Sequence, residues 1–261
     1  MPGTVRLFNT KFSVTLFRNL KSLTLYATNP RELANILDKL QMLKHLRFLS
    51  IENRDVYFVI DFEVEICKII FELKWLKYVK LPGYHIVSDQ ISYIEHLDTC
   101  VESFDDIQLT FHQFPRLRRL DLRVHNIFVS RLSEICFSHT VQNLTRFTLK
   151  VLDRQVEFFQ VKNILKYLSN LRQFSFLFCS QFGRGVKGSV TSWLINGHEW
   201  KQLLSSCLPT LKMFTLFVQI QVPVATINVN TMDTVLAKFS IDYYIKHKWH
   251  FACDHHLEWD S

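Results

Sequence analysis

The chain has 261 residues, of which 48% are hydrophobic and 21% charged, and its formal net charge is +7. This composition is enough for a sizeable core, and with only six glycines and six prolines it excludes a disordered or collagen-like chain. No run of 18 apolar residues occurs, which predicts no transmembrane helix. The N-terminus lacks the apolar stretch of a secretory signal, and the six cysteines form no CxxC pair. We therefore expect a protein with free thiols, located in the cytoplasm or nucleus.

A repeated LxxLxL pattern is the strongest signal in the sequence. Its seven copies begin at Leu20, Leu46, Leu76, Leu117, Leu144, Leu171 and Leu211. The intervals between them are 26, 30, 41, 27, 27 and 40 residues, and four of these lie in or just beyond the period of leucine-rich repeats. We interpret the two long intervals as one unit plus an insertion. A weaker copy, Phe104 to Leu109, lies in the first long interval.

Each unit predicts a short strand followed by a helix. The fourth and sixth positions of the pattern alternate with polar residues, so they face the core together. The spacers 31–44, 155–168 and 200–208 carry apolar residues at helical spacing, and Asn29-Pro30 suits a helix start. The sequence thus predicts an α/β solenoid of about seven to eight degenerate leucine-rich repeats of the ribonuclease-inhibitor type. The parallel sheet would line its concave face and the helices its convex face. The alternative is an ordinary α/β domain whose strands happen to begin with leucine.

We expect one domain with two segments, a repeat array over 1–222 and a C-terminal capping segment over 223–261. The stretch 196–214, together with Phe239 and Lys248 to Cys253, resembles an expanded invertebrate family of F-box proteins with degenerate leucine-rich repeats. The resemblance covers roughly residues 16 to 255. It implies that the repeats hold a substrate while an F-box recruits a cullin-type ubiquitin ligase. The first unit begins at Leu20, which leaves too few residues for an F-box. The chain is then either a fragment or a receptor-like repeat domain without that adaptor.

Two motifs could suggest a ligand site. Gly183 to Gly188 satisfies GxGxxG, but a β-branched stretch with weak helix propensity follows, so we expect a basic surface loop instead of a dinucleotide site. Near the C-terminus, zinc would accept the spacing His247, His250 and Cys253, close to His255 and His256. In an extended strand, however, Trp249, Phe251 and Cys253 share a face that His250 does not. We therefore expect a capping strand and no metal site.

No catalytic motif occurs in the sequence, so we expect neither an enzyme nor a cofactor. The second position of the LxxLxL units is basic in six of seven copies, the exception being Thr145. These residues are Lys21, Arg47, Lys77, Arg118, Arg172 and Lys212. Since neighbouring strands lie about 4.8 Å apart, the six cations would form a basic ridge. The ridge is either a docking edge for an acidic partner or an ordinary hydrated edge.

The third position places Phe48 and Tyr78 on neighbouring predicted strands, which makes them the seed of a binding surface. Arg119, Arg123 and Arg146 would supply polar anchors nearby. The first hypothesis is a non-catalytic protein-protein interaction module that binds through the concave face, in its narrower form the substrate-recognition part of an F-box-type ligase. The alternative is nucleic-acid or polyanion binding through the basic ridge. We expect no membrane partner.

Overall fold

Eight parallel strands form one open sheet in which spatial order follows chain order. The computed structural model describes residues 14–27, 30–53, 63–83, 91–124, 141–151, 156–179, 192–219 and 229–249. The strands are β1 Ser22–Ala27, β2 Phe48–Asn53, β3 Tyr78–Lys80, β4 His96–Val101, β5 Arg119–Val124, β6 Arg146–Val151, β7 Gln173–Cys179 and β8 Met213–Gln219. The predicted α/β class with a parallel sheet is confirmed, and this architecture is compatible with a solenoid.

Seven α-helices accompany the sheet in the described part of the chain. They are α1 Pro30–Leu40, α2 Glu63–Glu72, α3 Asp105–Gln113, α4 Phe158–Leu165, α5 Gly197–Cys207, α6 Val229–Phe239 and α7 Asp242–Lys246. The three predicted helices correspond to α1, α4 and α5. At the start of α5 the side chain of Asn196 accepts a hydrogen bond from the backbone N–H of His198, which satisfies a free donor of the first turn.

The fourth-position residues form the floor of the core on one side of the sheet. From β2 to β7 each of them has at most 1% of its surface exposed; they are Leu49, Val79, Leu97, Leu120, Phe147 and Phe174. In α5, Trp200 packs on Phe176 of β7, with ring centres 5.4 Å apart, so this helix covers the same side. We call the opposite side, which carries the third-position residues, the open face.

One predicted strand is wrong, and one strand was missed. Phe104 to Leu109 is not an extra copy of the pattern, because these residues belong to α3 and the turn before it. The strand in this interval is β4, whose His96 pairs with Tyr78 on one side and Arg119 on the other. In the repeat unit that contains β4, which starts at Ile94, the sixth position is Thr99, a fully buried polar residue. The LxxLxL pattern requires an apolar residue there, so it does not match this unit.

The described part of the C-terminal segment packs on the last strand of the sheet and on α5. Trp249 contacts Phe214 of β8, with ring centres 5.6 Å apart. The hydroxyl of Tyr244 donates a hydrogen bond to the carbonyl of Gly197. The predicted boundary at 222–223 and the residues Phe251 and Cys253 of the predicted capping strand lie outside the described residues, so both remain predictions. None of the helices in the described ranges is long and apolar enough to cross a membrane.

Candidate functional site

An aromatic row lies on the open face. Phe48 and Tyr78, paired across β2 and β3, stack with ring centres 4.4 Å apart and an interplanar angle of 15°. His96 meets Tyr78 edge-on at 5.9 Å. All three side chains are half-buried, so part of each ring stays open to a partner. The structure thus brings the predicted aromatic pair together and extends it by a histidine. We call these three residues the aromatic row.

The three predicted arginine anchors lie beyond the aromatic row. His96 separates Tyr78 from Arg119, because β4 intervenes between β3 and β5. Arg119 forms an ion pair with Asp121 at 2.6 Å, and Arg123 forms one with Asp98 at 3.4 Å. Arg146 donates a hydrogen bond to the side-chain carbonyl of Gln173. Arg119, the nearest of them, therefore lies two strands from Tyr78, and the role of the three arginines as polar anchors stays a prediction.

Ion pairs neutralise the strands that carry the aromatic row. Lys80 lies 3.0 Å from Glu52, and their hydrogen bond raises the pKa of the lysine. Burial raises the pKa of Asp98, although the charge of Arg123 opposes this shift. Burial lowers the pKa of His96, with a second contribution from Arg119, which favours its neutral imidazole. The aromatic row is therefore flanked by charges that already have partners.

The second-position residues of the predicted basic ridge follow one another across the sheet, with one interruption. Successive backbone hydrogen bonds link its members in the predicted order from Lys21 and Arg47 through Lys77, and from Arg118 through Thr145 to Arg172 and Lys212. Glu95 lies between Lys77 and Arg118, so these two cations are not on neighbouring strands as the pattern predicts. Glu95 accepts a hydrogen bond from Lys77, which lowers its pKa, and lies 3.9 Å from Arg118. The carboxylate of Glu95 therefore reduces the repulsion between these two cations.

The far end of the open face keeps its positive charge. The open-face positions of β6 to β8 and the turns that lead into them contain no acidic residue; the basic residues there are Arg146, Lys150, Arg172 and Lys212. No ion pair to these four cations occurs within the described ranges. On β8, Met213 and Phe217 are 52% and 49% exposed beside Lys212. We call the four cations the basic half of the open face.

The remaining motifs lie at the limits of the described chain. Gly183 to Gly188 is outside the described residues, as are His250, Cys253, His255 and His256. His247 is exposed, and its Nδ1 lies 2.7 Å from the carbonyl oxygen of Tyr243. Within the described ranges, no group of three or more histidine, cysteine or acidic side chains could hold a metal ion.

The residues Glu95, His96 and Asp98 are not predicted from the sequence, because the pattern does not show β4. The signal that could have found them is the partial unit Ile94-x-x-Leu97, whose two apolar residues are buried like those of the other units. No protein-family model matches the chain, and a search of curated proteins finds no match either.

Proposed function

We propose that this chain is a non-catalytic protein-binding module that acts through the open face. In this proposal the sheet is the concave face of a degenerate leucine-rich-repeat solenoid of the ribonuclease-inhibitor type, as the spacing of the LxxLxL units predicts. The observation that supports binding is the aromatic row, whose rings are ordered by stacking and remain partly exposed.

Stacked aromatic side chains suit a binding centre for two physical reasons. Tyrosine and other large rings dominate the binding energy of many protein interfaces, where they lie near the centre and are ringed by polar groups. A ring held by its neighbours also loses little conformational entropy on binding. Phe48 and Tyr78 satisfy both conditions, since each is fixed by the other and Lys80 and Asp98 lie on the adjacent outward row.

The narrower proposal is that the partner is a substrate of an F-box-type ubiquitin ligase. It is supported by the resemblance of residues 196–214, Phe239 and 248–253 to F-box proteins. A cullin and its adaptor would then associate with this chain, directly or through a companion protein. No cofactor enters this function.

The test is affinity purification of the full chain from its own cells, followed by mass spectrometry and by titration of the purified partner. The double variant Phe48→Ala with Tyr78→Ala should lower affinity for that partner at least tenfold. Phe159→Ala is the matched control, because Phe159 is a 42% exposed ring on α4, outside the sheet. Equal affinity of the wild type and the double variant would contradict the proposal.

The basic half favours a second candidate, binding of a polyanion such as nucleic acid. Such binding releases counterions, so the logarithm of the affinity falls steeply and linearly as the logarithm of the salt concentration rises. An interface centred on the aromatic row should lose association rate in salt and keep most of its affinity. A labelled twelve-nucleotide oligouridine, titrated at two salt concentrations, separates the two candidates.

A further inference from the structure

The open face has two halves of different chemistry. On β2 to β5 and the turns that lead into them, each of the four open-face carboxylates is paired with a lysine or arginine, and the aromatic row lies among these pairs; the carboxylates are Glu52, Glu95, Asp98 and Asp121. On β6 to β8, the basic half has cations and no carboxylate on the open face. Lys21 and Arg47, before β1 and β2, have no carboxylate partner among the described residues. A ligand that crosses the described sheet from β3 to β8 therefore meets rings and paired charges first, and cations without carboxylate partners at the far end.

We infer that the partner presents an extended acidic segment that crosses the strands, with an aromatic side chain on the aromatic row and a cluster of carboxylates on the basic half. This inference rests on the proposed function and adds the position and direction of the bound segment. Complementary charge fixes the register of an interface and excludes partners of the wrong sign. A segment bound in the reverse direction would place its carboxylates beside Glu52 and Glu95.

The distance between the two halves sets the spacing within the segment. Tyr78 lies on β3, the basic half begins on β6 with Arg146 and Lys150, and it ends before β8 with Lys212, three to five strands further along the sheet. Neighbouring strands are about 4.8 Å apart, which gives separations of about 14–24 Å. An extended peptide covers about 3.3 Å per residue, so about three residues should separate the aromatic side chain from a run of four carboxylates that spans the basic half.

The aromatic half disfavours a nucleic acid as the occupant. Single-stranded nucleic acids stack bases on aromatic rings while basic side chains follow the backbone phosphates. Beside the aromatic row, however, Lys77 and Arg118 face Glu95, and Lys80 faces Glu52. Phosphates next to a base stacked on Tyr78 would therefore lie over cations that already have carboxylate partners. A peptide needs negative charge only at the far end.

Two fluorescein-labelled peptides test the inference by fluorescence polarisation with the full chain. In the first, three Gly/Ser residues separate one tryptophan from four glutamates; in the second, the four glutamates follow the tryptophan directly, so the last of them reaches only about 13 Å, short of β6. The first peptide should bind at least tenfold more tightly. Equal binding of the two peptides, binding of neither, or tighter binding of the twelve-nucleotide oligouridine would overturn the inference.

Variants assign the two contacts. Arg172→Glu with Lys212→Glu should weaken the binding of the first peptide at least tenfold. The matched control, Lys166→Glu with Lys201→Glu, makes the same charge change at exposed positions of the helical side and should have no specific effect. If only Phe48→Ala with Tyr78→Ala weakens binding, the acidic contact is wrong and the proposed function stands. If neither open-face variant weakens it, both are wrong. Circular dichroism establishes that each variant is folded.

Discussion

Tyr244 donates a hydrogen bond from its hydroxyl to the backbone carbonyl of Gly197, a residue 47 positions earlier in the chain. Both residues are buried, and Gly197 is the first residue of α5. Burial raises the pKa of the Tyr244 hydroxyl far above its ordinary value of 10.0, so it remains a donor at physiological pH. The bond fixes the C-terminal helix α7 to the helix that covers β7.

Tyr244→Phe should lower the free energy of unfolding by about 1–2 kcal/mol, because a buried hydrogen bond is lost while the ring still fills its site. The midpoint of urea unfolding measures the change. The matched control is Tyr243→Phe, since the hydroxyl of Tyr243 makes no hydrogen bond among the described residues. The same loss in both variants would contradict a specific role for the bond to Gly197.

Gly197→Ala should also destabilise the chain, by about 1–3 kcal/mol. A Cβ at this position would overlap the backbone carbonyl of Lys238 in α6, and a backbone atom cannot move aside as a flexible side chain can. Thermal unfolding checks the prediction, with Gln202→Ala at an exposed position of α5 as the control. An unchanged melting temperature for Gly197→Ala would show that α6 does not pack this closely.

Leu120→Asp should cost several kcal/mol, because Leu120 is fully buried on β5 and the change puts a carboxylate in the core. The outward-facing Thr148→Asp on β6 is the control, and it should change the free energy of unfolding by less than about 1 kcal/mol. Near-normal stability of Leu120→Asp in chemical denaturation would refute the alternation of inward and outward residues described here.

Two neighbouring carboxylates should respond to acid in opposite directions. The hydrogen bond from Lys77 lowers the pKa of Glu95 below 4.5, so its stabilising contribution is present above that pH and is lost as the pH falls through the lower folded-state pKa. Burial raises the pKa of Asp98 above 3.8, so the folded chain takes up this proton first and gains relative stability as the pH falls through the raised pKa.

Urea unfolding between pH 7 and pH 3 separates these contributions. Glu95→Gln should lose less stability on acidification than the wild type, and Asp98→Asn should lose more. Both carboxylates are partly exposed, so each difference should be small and is best obtained from paired titrations. A change of the same sign in both variants would contradict the assignment of hydrogen bonding to one residue and burial to the other.

The sequence predicted most of the sheet because the strand signal repeats. Seven strands begin at the third position of an LxxLxL unit; these residues are Ser22, Phe48, Tyr78, Arg119, Arg146, Gln173 and Met213. The pattern does not predict β4, because the polar residue Thr99 occupies a position where the pattern requires an apolar residue. Phe104 and Ile107 match the first and fourth positions of the pattern although they belong to the start of α3, since apolar residues three apart fit a helix face as well as the repeat template.

The site was less predictable than the fold, because its chemistry depends on which strands are neighbours. Phe48 and Tyr78 could be paired from the pattern alone, as β2 and β3 follow one another directly. The net charge of the ridge could not be predicted from the pattern. Glu95 lies beside Lys77 and Arg118 because it directly precedes β4, a strand that the pattern does not show. One missed strand thus altered the predicted electrostatics of the whole face.

The fourth-position row changes from aliphatic to aromatic along the sheet, from Leu120 on β5 to Phe147, Phe174 and Phe214 on the last three strands. The rings stack from strand to strand, at 5.8 Å between Phe147 and Phe174 and 5.9 Å between Phe174 and Phe214. A unit duplicated from the leucine-lined end into this stack would place a smaller side chain between two rings and leave a void. Lengthening the sheet by copying one strand and its helix therefore costs less at the leucine-lined end than where the phenylalanines meet.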